Sequence, residues 1–136
     1  MIGILILAQK DIGAGLVRAV EHVLGTCPPS LAAFPVNYDQ PTDELASAVA
    51  KQVARLDSGE GVLILADIYG ATHINVACRI LERGRVELVA GVNLPMVIRV
   101  LNYRNLRMAE LIEKALQGGT EGIICATDCC FAEVRR

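Results

Sequence analysis

Short aliphatic runs alternate along the chain with segments of helical period, and no other feature restricts the fold as much. The runs are Ile2 to Ala8, Leu31 to Val36, Gly61 to Ala66 and Val86 to Ala90, each built mainly from Val, Ile, Leu and Ala. A strand reads this way when both its faces are covered. A weaker fifth run covers Gly122 to Ala126. Between the runs, Ile12, Leu16, Val20 and Val23 lie about one turn apart, with Gly25 as a stop. Leu45, Val49, Val53 and Leu56 repeat that spacing and are closed by the turn signal Asp57-Ser58-Gly59. Ile74, Ala77, Ile80 and Leu81 form a third stripe ended at Gly84, and Met108, Leu111, Ile112 and Ala115 a fourth ended at Gly118-Gly119. The order β-α-β-α-β-α-β-α predicts an α/β fold. It is a doubly wound, mainly parallel sheet of about four strands with helices on both faces.

The rest of the composition fits this and removes some functions. At 136 residues the chain has the length of one domain, so residues 1–136 are taken as a single unit. With 53% hydrophobic residues, 4% aromatic and no Trp, aliphatic side chains must fill the core. A formal net charge of −2 provides no basic footprint for nucleic acid. The first apolar run is too short for a membrane span and has no basic segment before it. A soluble, cytoplasmic protein without membrane insertion is expected. The five cysteines, Cys27, Cys78, Cys125, Cys129 and Cys130, are odd in number, which argues against a disulfide framework. The C-x3-CC cluster could bind a metal or sense redox state. Its plainer reading is small side chains at a strand end, since no nearby histidine completes a zinc pattern. No metal or cofactor is expected.

In an open parallel sheet, ligands sit beyond the carboxyl ends of the strands. The loops at 8–12, 37–41, 66–73 and 90–95 are therefore the places to look. Asp67 is the first residue after an apolar strand; its carboxylate could orient an imidazole, or could simply cap its own loop. Thr72 reads as a helix N-cap, and free N–H groups at a helix start can seat a phosphate. Gly70 lets the backbone come close to a bound group. His73 is either a solvent-facing residue at the helix start or a titrating group in the crevice. His22, late in the first helix, reads as a surface residue.

Three stretches, "MIGILILAQKDIGAGLV" from Met1, "GEGVLILADIYGATHINVACRIL" from Gly59 and "VAGVNLPMVIRVL" from Val89, resemble the mannose-type enzyme IIA domain of the bacterial sugar phosphotransferase system. That resemblance implies a phosphocarrier. A histidine just after the first strand would take a phosphoryl group from an HPr-like carrier protein and pass it to a IIB component. It also implies a homodimer with the C-terminal strand, here Gly122 to Ala126, exchanged between subunits. Asp67 matches the aspartate that steadies the histidine, Thr72 a hydroxyl residue of the same pocket, and Gly70 and Asn93 belong to the two matching motifs. The acceptor position, however, falls on Gln9. Lys10 stands where glycine is typical, and His73 where proline is usual.

A glutamine amide nitrogen has its lone pair delocalised into the carbonyl, so it cannot serve as the nucleophile that phosphoryl transfer through histidine needs. Three readings follow: a regulatory or binding module that carries no phosphate, a phosphocarrier with a relocated acceptor at His73, and an altered form of an ordinary carrier with His at position 9. An acyl phosphate on Asp11 is disfavoured, because no trio of acids surrounds it to hold a metal.

Overall fold

The computed structural model describes residues 1–131. Strands β1 (Gly3–Gln9), β2 (Leu31–Val36), β3 (Val62–Ala66) and β4 (Val86–Ala90) form one sheet in the order β2-β1-β3-β4. Every pairing is parallel, with Ile4 beside Leu31 and Leu63, and Ile64 beside Leu88. The strands match the four apolar runs to within a residue or two.

Side chains alternate across each strand, and the alternation divides the core in two. Ile4, Ile6, Ala8, Leu63 and Leu65 face α1 (Ile12–Leu24), α4 (Leu94–Asn102) and α5 (Met108–Glu121), meeting Val20, Val97, Val100 and Leu111. Leu5, Leu7, Val62 and Ile64 face the other way, onto Leu45, Val49 and Val53 of α2 (Thr42–Leu56) and Val76 of α3 (Ala71–Ile80). Each fully buried Leu or Ile contributes about 1.5–3 kcal/mol. β1 and β3 are buried throughout except at Gln9. The sheet is thus covered on both faces, as the aliphatic runs imply.

Four expectations need correction. Helix α4 was not foreseen, because LPMVIRVLN has almost no polar face and reads as a continuation of the preceding loop. Helix α5 does not stop at Gly118-Gly119 but runs to Glu121. Those glycines allow close packing instead: a Cβ at Gly118 would stand 2.5 Å from Arg99 Cβ, and one at Gly119 2.8 Å from Met96 Cε. Thr72 is not the cap of α3. Gly70 occupies that position with extended backbone, and Thr72 is the second helical residue. Finally, Gly122 to Ala126 forms no strand: Gly122 caps α5, residues 123–125 have no regular structure, and Ala126 opens α6 (Ala126–Phe131). A short apolar run does not distinguish strand from helix, and here Ile123 and Ile124 are 76% and 66% exposed.

Candidate functional site

β1 and β3 are neighbours, yet the chain leaves them in opposite directions, towards β2 on one side and β4 on the other. This is the topological switch point, where an open sheet leaves a crevice at its carboxyl edge. Gln9 ends β1 and Asp67 follows β3, so the switch point brings them together. The Gln9 N–H donates to Asp67 Oδ2 at 2.9 Å, and the Ile68 N–H donates to Oδ1, also at 2.9 Å.

His73 lies just behind this carboxylate. On α3 it shares the buried face with Val76 and Ala77, the i, i+3, i+4 spacing of a core stripe, and it is 1% exposed. Its Nε2 is 3.2 Å from Asp67 Oδ1. The approach is not aligned as a hydrogen bond, and neither ring nitrogen has an aligned partner. The two groups are within contact distance without a directed bond. Tyr38 completes the cluster, its ring edge-on to the imidazole at 6.0 Å between centroids. Partial burial, and then the Asp67 charge, push the Tyr38 hydroxyl above its usual range.

Beside this cluster, the loops after β1 and β2 enclose a cleft of about 530 Å³ lined by Gln9, Lys10, Asn37, Tyr38 and Asp39. Gln9 and Lys10 are both exposed at its mouth. Lys10 has φ 49°, a left-handed conformation that costs a side-chain-bearing residue about 1–2 kcal/mol. A glycine would enter it freely.

The switch point thus brings Gln9, Asp67 and His73 together, with His73 buried behind the carboxylate instead of facing solvent or the open crevice, and Lys10 at the mouth of the adjacent cleft. Gly70 and Thr72 sit at the start of α3. Asn93 is already engaged elsewhere: its Oδ1 accepts from the Met96 N–H at 2.9 Å, capping α4, and its Nδ2 donates to the Gly119 carbonyl at 3.0 Å. Sequence reasoning named the 37–41 loop without singling out Tyr38, although a large side chain two residues past a strand end was a usable signal. His22 is exposed, as expected. Among the described residues no group of three or more His, Cys, Asp or Glu side chains could hold a metal.

Residues 3–116 match the family model EIIA-man, described as the PTS system fructose IIA component. The chain belongs to the EIIA-man family. Among its relatives, the PTS system mannose-specific EIIAB component of Escherichia coli (strain K12) is 39% identical over 75 residues. That match takes in 53% of this chain and only 23% of the longer relative. The PTS system fructose-specific EIIA component of Bacillus subtilis (strain 168) is 29% identical over 114 residues, 82% of this chain and 77% of that one. The EIIA-man fold recurs in the crystal structure of phosphotransferase system component EIIA from Streptococcus agalactiae, with a TM-score of 0.81 at 21% identity, over 95% of this chain and 100% of that one. Among the described residues no helix is long and apolar enough to cross a membrane.

Proposed function

We propose that this EIIA-man domain is a cytoplasmic binding or regulatory module of the sugar phosphotransferase system that does not itself carry phosphate. The observation behind this reading is Gln9, which ends β1 with its backbone bonded to Asp67 at the switch point. An acceptor imidazole would have to stand there. Amide resonance removes the nitrogen lone pair that attack on phosphorus requires. The side chain can still donate and accept hydrogen bonds, so the crevice keeps the shape of the unphosphorylated, resting pocket. An HPr-like carrier and a IIB component remain the partners to expect, engaged without relay.

The 3.2 Å approach of His73 to Asp67 favours a second reading, in which His73 accepts the phosphoryl group. Its burial weighs against this, because a donor protein cannot reach a ring that is 1% exposed without α3 moving. Pairing of two copies belongs to the same proposal. Support comes from the outer edge of β4, where beyond the Glu82 bridge to Val86 no strand pairs among the described residues, and from the exposed Leu116, Ile123 and Ile124.

Incubation with phosphoenolpyruvate, enzyme I and HPr, followed by intact-mass measurement, tests the proposal. The chain as it stands should gain nothing, while Gln9→His should gain one phosphoryl group, stable in base and lost in mild acid. Labelling of the unaltered chain would overturn the proposal, and its loss on His73→Ala would then establish the relocated acceptor.

A further inference from the structure

Arg104 is buried, and a charge taken out of water normally has a partner of opposite sign. Among the described residues it has none. Its guanidinium donates to the carbonyls of Ile2, Pro29 and Ser30, which are dipoles without net charge. Burial pushes its pKa below the ordinary arginine range, and no acid acts against that. Ser30, which supplies one of the carbonyls, has φ 52°, a left-handed conformation that a residue with a side chain resists. Strain of this kind gathers where a ligand is clamped. The same arginine lies on the wall of a cavity of about 260 Å³. No Asp or Glu lines that cavity, and Met1, on the same wall, has its amine paired with Glu60 at 3.2 Å.

We propose that this cavity binds a small monocarboxylate, a short-chain aliphatic acid in its ionised form, as the counter-ion of Arg104. The unpaired cation sets the sign of the ligand. It matches a single negative charge, and a phosphate dianion would bring a second one that nothing on the wall pairs. The remaining wall sets the other end of the molecule. Leu24, Pro28 and Leu101 are apolar and suit a hydrocarbon chain, while the Thr26 hydroxyl and the Asn105 amide can donate to carboxylate oxygens. The volume falls just below the ~300–1,000 Å³ of pockets for drug-sized ligands, which limits the chain to a few carbons. The cavity lies at the amino ends of the strands, away from Gln9, and does not depend on how the crevice is read.

The test is a titration of the nitrogen-15-labelled full chain with sodium butyrate at constant ionic strength, followed by NMR. Saturable shifts are expected at the backbone amides around Thr26 and Asn105 and at the Arg104 Nε–H, which reports on the guanidinium without altering it. Butyramide, of the same shape but uncharged, should leave them unmoved, and inorganic phosphate should bind at least about tenfold more weakly. Thr26→Val and Asn105→Ala should each weaken butyrate binding about fivefold, the worth of one hydrogen bond. Both positions are exposed, so neither change reaches the core. Arg107→Ala removes an exposed cation close in sequence that does not line the cavity, and binding should be unchanged. Shifts that do not saturate, equal shifts with butyramide, or phosphate binding as tight as butyrate would overturn the proposal. So would unchanged binding in either Thr26→Val or Asn105→Ala, or an equal loss in Arg107→Ala, which would mean that any surface cation serves.

Discussion

The two ends of the sheet are built to opposite standards. At the amino ends of the strands, Arg104 is 5% exposed, and carbonyls take up its guanidinium. Nε and Nη2 donate to Ile2 O at 3.1 and 2.8 Å, Nη2 also to Ser30 O at 2.8 Å, and Nη1 to Pro29 O. Nearby, Asp57 Oδ1 accepts from the Gly59 and Gly61 N–H groups at 2.8 and 3.0 Å, while Oδ2 accepts from Arg85 at 3.0 Å. At the carboxyl ends, Lys10 is held in a conformation suited to glycine and a buried histidine has no aligned partner for either ring nitrogen. One end is saturated and joins the chain together. Left-handed backbone occurs at both, at Ser30 (φ 52°) and at Lys10 (φ 49°), but among the described residues only the carboxyl end also leaves a buried side chain without an aligned partner, which proteins tolerate mainly where something is bound or transformed.

Damage to the saturated end should therefore be the more costly. Arg104→Met would strand the Ile2 and Pro29 carbonyls, each costing about 1–3 kcal/mol if left buried and unpaired, while the Ser30 carbonyl keeps the Ile4 N–H at 2.9 Å. Water will reach the exposed Pro29, and a net loss of about 2–4 kcal/mol is expected. It would be read as a lower urea midpoint at unchanged slope. A loss below about 1 kcal/mol would show that the guanidinium is incidental to this end. Asp57→Asn is milder. The amide keeps one oxygen for the two glycine N–H groups but surrenders the charge that strengthens them and the Arg85 contact, about 1–2 kcal/mol at pH 7. The effect should depend on pH in a definite sense. Backbone donation from Gly59 and Gly61, and then the Arg85 charge, hold the Asp57 carboxyl below its usual range in the folded chain. Its stabilisation is complete above the ordinary carboxyl pKa of ~3.9 and fades as pH falls through the lower folded value. The gap between the variant and its parent should close in acid; a gap constant from pH 7 to the bottom of the carboxyl range would contradict this assignment.

How far these two ends could be read from the sequence differs in the same way. The strands were legible because burial on both faces leaves no polar positions in Ile4 to Ala8 or Val62 to Ala66. The carboxyl-end site was legible because parallel topology dictates where its loops lie, so Gln9, Lys10, Asp67 and His73 could be brought to one crevice by position alone. The amino end left no such trace: an arginine after an unforeseen helix resembles any surface cation, and only the fold reveals the carbonyls around it. Helix α4 could have been anticipated from Asn93-Leu94-Pro95, since asparagine caps the helix and proline sits in its first turn. Its aliphatic sequence concealed the period. In the same way, whether His73 faces solvent or core depended on α3 beginning at Ala71, one residue before the expected cap, which places the ring in register with Val76 and Ala77.

The smallest expected effect has the opposite sign and bears most directly on the contrast. Lys10→Gly relieves a left-handed backbone that costs a residue with a Cβ about 1–2 kcal/mol. Glycine has more freedom in the unfolded chain and gives part of that back. The net result should be a gain of about 0.5–1 kcal/mol, a rise of a few degrees in Tm for a domain of this size. Stability gained with unchanged partner binding would make the strain a relic of the altered crevice. Stability gained together with weaker binding would mean that the ammonium is held at the mouth of the cleft for a purpose the fold alone does not require. If instead the variant lost stability, the Lys10 side chain would have to make a contact that outweighs its backbone strain, and the carboxyl end would be as well bonded as the amino end.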